Sequence, residues 1–127
     1  MKKMSPGEIR LGRLELEIMK AVWDSGTATV HDVQQALAPR CKRAYSTILT
    51  MMRKLEAKGY LRHELDDRTF IYRATVSSAQ VRKGLLADLV DRVFDGSAQL
   101  VVSGLLDRKK LSEKELAAIR KLIENRR

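Results

Sequence analysis

Apolar and polar positions along this chain change period twice, from helical to alternating after Gly59 and back to helical from Ser77. From Leu11 to Ser25, Leu14, Ile18, Ala21 and Val22 recur on one helical face, and Gly26 stands where a left-handed stop belongs. Thr29 opens a second helix, with Asp32 three positions on supporting the first turn. Val30, Val33 and Leu37 face inward, and Pro39 ends that helix. A basic connector, Arg40-Cys41-Lys42-Arg43, leads into a third helix that runs from Arg43 to Gly59. There Ile48, Met51, Met52 and Leu55 share a stripe about 100° wide.

In the alternating stretch, Leu61, His63 and Leu65 interleave with Arg62 and Glu64, and Phe70, Tyr72 and Ala74 with Ile71 and Arg73. Asp66-Asp67-Arg68 lies between them, which predicts a two-stranded hairpin with a charged tip. Trp23, Phe70 and Tyr72 read as core. After Ser77, one seam of Val81, Leu85, Leu89 and Val93 lies beside a second of Leu86, Val90 and Phe94. Asp95-Gly96-Ser97 interrupts the pattern, a shorter apolar helix follows (Leu100, Val101, Leu105, Leu106), and Ser112 with Glu115 caps a last one. The expected fold is mainly α with a small β-wing: a winged helix-turn-helix over 1–76, then a helical dimerisation domain over 77–127.

The outward face of the third helix carries the candidate chemistry. Ser46, Thr50, Arg53 and Ala57 point away from the apolar stripe, with Tyr45 and Thr47 at the entrance. A solvated face usually favours Glu and Lys, whereas Ser, Thr and Arg reach phosphates and base edges in a major groove. The bland alternative is an amphipathic core helix whose Arg53 pairs with Glu56 or Glu17. Lys42 and Arg43 in the connector and Arg68 at the hairpin tip are placed to hold the DNA backbone, although Asp66 and Asp67 beside Arg68 would repel it. Turn chemistry alone explains those two aspartates.

Composition narrows the partners. In 127 residues, 25 Lys and Arg against 16 acidic residues give a formal charge of +9, which suits a polyanion, nucleic acid first and an acidic membrane surface second. A single cysteine, Cys41, excludes an internal disulfide and fits a reducing cytosol. Its basic neighbours favour a thiolate, so a redox role stands beside the plainer reading of a connector thiol. His31 and His63 have no partners at ligand spacing, so no metal and no cofactor are expected. The charged start, Met1 to Glu8, precedes no apolar run, and nothing approaches the ~20 apolar residues of a membrane span, so a cytoplasmic protein without stable membrane association is expected. No paired carboxylates, nucleophile triad or glycine-rich phosphate loop assembles an active site.

In order, the segments Leu14-Glu15-Leu16-Glu17-Ile18-Met19-Lys20-Ala21-Val22-Trp23, Ala28-Thr29-Val30, Ala44-Tyr45-Ser46-Thr47-Ile48-Leu49-Thr50-Met51-Met52-Arg53-Lys54-Leu55, Lys58-Gly59-Tyr60-Leu61 and Asp67-Arg68-Thr69-Phe70-Ile71-Tyr72 resemble the penicillinase-repressor family (BlaI/MecI/CopY). The resemblance implies a dimeric repressor on palindromic operators with TACA/TGTA-type half-sites. It places Tyr45, Ser46, Thr47 and Thr50 where family members contact DNA, and Arg68 on the wing. There are three departures, of which the first two matter. Penicillin-responsive members are cut at an Asn-Phe bond by a membrane sensor protease, and the corresponding stretch here is Ser103-Gly104-Leu105. Copper-responsive members carry a Cys-x-Cys pair, which one cysteine cannot supply. Gly12 stands where many members cap the first helix with Ser or Thr, and Gly caps nearly as well.

The expected function is therefore a homodimeric, sequence-specific repressor of a β-lactam-resistance or stress-type operon, not an enzyme. Ser46, Thr47, Thr50 and Arg53 read the groove. Leu85, Leu86, Leu89, Val93, Phe94, Leu100, Val101 and Leu105 form the dimer contact. The alternative is a basic winged-helix module for protein or RNA interaction without operator specificity.

Overall fold

The computed structural model describes residues 10–108 and 111–126, so the charged start read from Met1 to Glu8 lies outside them. Helix α1 spans Arg13–Ser25, strand β1 Thr27–Ala28, α2 Val30–Leu37, α3 Tyr45–Ala57, β2 Leu61–Asp66 and β3 Thr69–Ala74. Three further helices follow: α4 Ser78–Val93, α5 Ala98–Leu106 and α6 Glu113–Glu124.

Local signals in the chain explain most of these ends. Gly26 (φ 82°) closes α1 by donating its N–H to the Val22 carbonyl at 2.8 Å. Thr29 and Asp32 form a reciprocal capping box on α2, each side chain accepting from the other's backbone N–H at 3.0 Å. Helix α3 ends in a Schellman arrangement: Gly59 (φ 93°) donates to Glu56, and Tyr60 donates to Leu55 at 2.9 Å. Tyr60 and Leu55 are both buried, which gives that motif its apolar contact. At α6 only half of the expected box forms, the Ser112 hydroxyl accepting from the Glu115 N–H.

The hairpin pairs β2 with β3 from Leu61↔Ala74 out to Asp66↔Thr69. A third strand appears that the two-stranded expectation lacked. Short β1 adds to the outer edge of β3 (Thr27↔Arg73, Ala28↔Tyr72), giving the order β1-β3-β2. Two residues with no alternation around them leave no periodic trace, which is why the sequence reads as a plain turn there.

The core of the winged unit joins Ile18, Met19 and Val22 of α1 to Val33 and Leu37 of α2, Ile48, Met52 and Leu55 of α3, and Tyr72 of β3. On α1 the inward stripe is centred on these residues and Glu15, while Leu14 and Ala21 are only half-buried. Trp23 is also half-buried, its indole Nε1 donating to the Val76 carbonyl at 2.9 Å.

The chain divides into two compact units, one through Asp88 and one from Leu89. That division falls inside α4 and not at Val76, because Val81 belongs to the winged core and Leu85 packs against it. In the second unit Ser97 caps α5, accepting from the Leu100 N–H at 3.1 Å, after a turn with positive φ at Asp95 and Gly96. No residue of α5 or α6 is buried. Among the described residues, no helix is long and apolar enough to cross a membrane.

Candidate nucleic-acid interface

Helix α3 is held on one side only. Ile48, Met52 and Leu55 are wholly buried, while Ser46, Thr47, Thr50, Arg53 and Ala57 are exposed and Met51 is half-buried. The helix starts at Ala44 without a side-chain cap, and in its first turn the Thr47 N–H donates to the Ala44 carbonyl at 3.1 Å. The connector before it is fixed by Gln34, whose Nε2 donates to the Arg43 carbonyl at 3.0 Å. Lys42 and Arg43 are both exposed there. The pairings that would have made Arg53 a structural residue do not form: Glu56 binds His63, and Glu17 binds Lys20 and Arg40.

A groove of about 420 Å³ runs between the start of α2, the face of α3 and the hairpin tip. It is lined by Thr29, Val30, His31, Tyr45, Leu49, Arg53, Arg68, Thr69 and Phe70. It brings Tyr45 and Arg53 of α3 together with Arg68 of the hairpin tip. Ser46, Thr47 and Thr50 stay on the open outer face of α3, and Lys42 and Arg43 lie at its entrance. Arg43 instead shares a second hollow with Arg13, Arg40 and Cys41, and its Nε lies 3.2 Å from the half-buried Cys41 sulfur.

Sequence reasoning missed His31, Thr69 and Phe70 as groove residues. Phe70 reads as core because it shares the face of Tyr72, two positions on. It is instead 38% exposed, and its cross-strand neighbour Leu65 is 64% exposed, because the hairpin extends past the edge of the core. The tip turns over Asp67, which takes the left-handed φ of 60° that Asp tolerates. Arg68 is exposed beside it.

Below the tip, a polar contact from His63 of β2 adds to the shared core in tying the hairpin to α3. His63 Nδ1 lies 2.7 Å from both carboxylate oxygens of Glu56. Its ring stacks on Phe70 with centroids 4.1 Å apart and planes 18° from parallel, and lies 5.6 Å from the Tyr72 ring. Burial pushes the Tyr72 phenol up from its ordinary pKa, helped by Glu56 and opposed by Arg53. On the opposite side of α3, burial disfavours the charged form of Glu15. The Gly12 N–H and the Lys58 ammonium outweigh it and hold that carboxyl below its ordinary value.

In the second unit, Leu89, Val93, Leu100 and Leu105 are exposed, whereas Phe94 and Val101 are half-buried. Val102, Leu106, Leu122 and Ile123 are exposed as well and were not among the expected contact residues. Of the two expected residues before Leu89, Leu86 is exposed and Leu85 is half-buried. Ser103, Gly104 and Leu105 are exposed and lie within helix α5.

This geometry agrees with what the chain is similar to. A family model described as penicillinase repressor matches residues 11–125. The chain belongs to the penicillinase-repressor family. It is 31% identical to the transcriptional regulator BlaI of Mycobacterium tuberculosis over 101 residues, covering 78% of this chain and 73% of that protein. With the penicillinase repressor of Bacillus licheniformis it shares 26% over 110 residues, 87% of this chain and 86% of that one. A solved DNA-binding domain of the repressor BlaI superposes with a TM-score of 0.52 at 30% identity, covering 63% of this chain and 93% of that domain. Its family membership makes the chain a winged-helix repressor and not an enzyme.

Proposed function

We infer that this chain is a DNA-binding transcriptional repressor that binds a palindromic operator as a homodimer, with α3 in the major groove. One observation carries the placement of DNA: the exposed Ser46, Thr47, Thr50 and Arg53 face is continuous with a groove that ends at Arg68 on the wing. Hydroxyls and a guanidinium on an otherwise unpaired helix face suit base edges. The groove between helix and wing suits the sugar-phosphate strand separating two DNA grooves. Arg53, Arg68 and the Thr69 hydroxyl provide its donors there, and Lys42, Arg43 and the uncapped start of α3 take the phosphates on the other side.

The dimer rests on the second unit. Helices α5 and α6 have no fully buried residue, and Leu89, Val93, Leu100, Leu105, Leu122 and Ile123 stay exposed. That much apolar surface on so small a unit is what a second copy would cover. Leu85 contributes more to the winged core than to such a contact. Ser103-Gly104-Leu105 is the segment a membrane sensor protease would cut. Gly104 in the helix interior weakens α5 by about 1 kcal/mol relative to Ala and so eases the unwinding that cleavage requires.

Selection of bound sequences from a random duplex pool tests this reading. Recovery of one palindrome with two equivalent half-sites is the expected result. A pool that stays random after repeated selection would instead favour a basic module without operator specificity.

A further inference from the structure

We propose that His63 is a positioning residue that clasps the wing to the recognition helix and thereby sets where Arg68 meets the DNA backbone. This rests on the reading that the wing touches DNA. The hairpin beyond His63 has little else to hold it: Leu65 and Phe70 are both exposed at its outer end. His63 bridges the gap in two directions. Through Nδ1 it engages both oxygens of Glu56 on α3 at 2.7 Å, and through its ring face it stacks on Phe70 of β3.

Phe70 then connects to function. It lines the groove beside Thr69 and Arg68, so a rigid path runs from Glu56 through His63 and Phe70 to the tip. The path crosses the hairpin diagonally, since His63 pairs with Tyr72 and Phe70 with Leu65. Aromatic neighbours of this kind stabilise strand pairs beyond their buried area. A hairpin with the same pairing but no clasp would keep its fold and let its tip sample a wider arc. Arg68 would then lose a phosphate contact that depends on placement.

A double-mutant cycle on operator affinity tests the clasp, using the full chain at fixed salt. In the wild type, R68A is expected to weaken binding about 5-fold, whereas in the H63Q background the same change costs less than about 2-fold. E56Q, which opens the clasp from the helix side, should shrink the R68A effect in the same way. H63R should restore it, because a guanidinium can both fork onto Glu56 and stack on Phe70. Melting curves of each variant establish that the winged unit is folded. An R68A effect of equal size in the wild type, H63Q and E56Q would overturn the clasp while leaving the wing contact standing. No R68A effect in the wild type would overturn the wing contact and the clasp with it.

Discussion

The Lys58 ammonium stands 2.9 Å from Oε2 and 3.0 Å from Oε1 of Glu15, so the residue that closes the recognition helix grips the first turn of α1. Glu15 is 3% exposed, and its Oε1 also accepts from the Gly12 N–H at 2.8 Å. Lys58 further donates to the Arg10 carbonyl at 3.2 Å. The pair ties the C-terminal end of α3 to the first turn of α1.

Glu15→Gln should therefore destabilise the winged unit by about 1–3 kcal/mol at neutral pH, read by urea denaturation. Because the carboxyl is held below its ordinary value of 4.5, its contribution is present above that pH and is lost as pH falls through the lowered value. The stability gap between wild type and variant should narrow under acid. A gap that widened as pH fell would contradict the assignment.

Gly59 has the positive φ that the Schellman end of α3 requires. Gly59→Ala should cost about 1–2 kcal/mol from the left-handed conformation alone. Thermal denaturation checks it, and an unchanged midpoint would mean that the helix end does not depend on this geometry.

The Tyr72 hydroxyl is buried without a hydrogen-bond partner among the described residues. Tyr72→Phe should accordingly leave stability within about 0.5 kcal/mol of wild type, or raise it. A loss well beyond that in a denaturation curve would show that the hydroxyl is satisfied in solution.

In the proposed placement of DNA, Thr50 reads bases and Lys42 holds the backbone. Thr50→Ala should weaken operator binding by about 1–3 kcal/mol and leave binding to unrelated duplex nearly unchanged. Lys42→Ala should weaken both alike and lower the salt slope by about one. Equal effects of Thr50→Ala on operator and unrelated duplex would remove it from the reading face.

Much of this architecture is legible in the sequence, because its helices carry their own punctuation. Gly26, Thr29, Pro39, Gly59 and Ser97 mark ends by local conformational preference, and the stripe of Ile48, Met52 and Leu55 fixes which side of α3 faces out. What stays hidden depends on distance in space. Strand β1 is too short for a period. The Glu15–Lys58 pair spans 43 positions, and neither residue type advertises burial. Phe70 reads as core but is exposed, because alternation reports which face of a strand a residue occupies and not how far the strand outruns the core. The second unit shows the opposite case, since its apolar seams were plain but only the structure shows that α5 and α6 leave them uncovered.

In the proposed assembly, two copies of this chain read a two-fold operator through α3. The most direct measurement is sedimentation of the chain with a selected palindromic duplex, paired with titrations at fixed salt of that duplex and of one with a single half-site scrambled. Two chains per duplex are predicted, with affinity falling by at least about tenfold when one half-site is lost. One chain per duplex, with equal affinity for intact and scrambled sites, would rule out a two-copy reader.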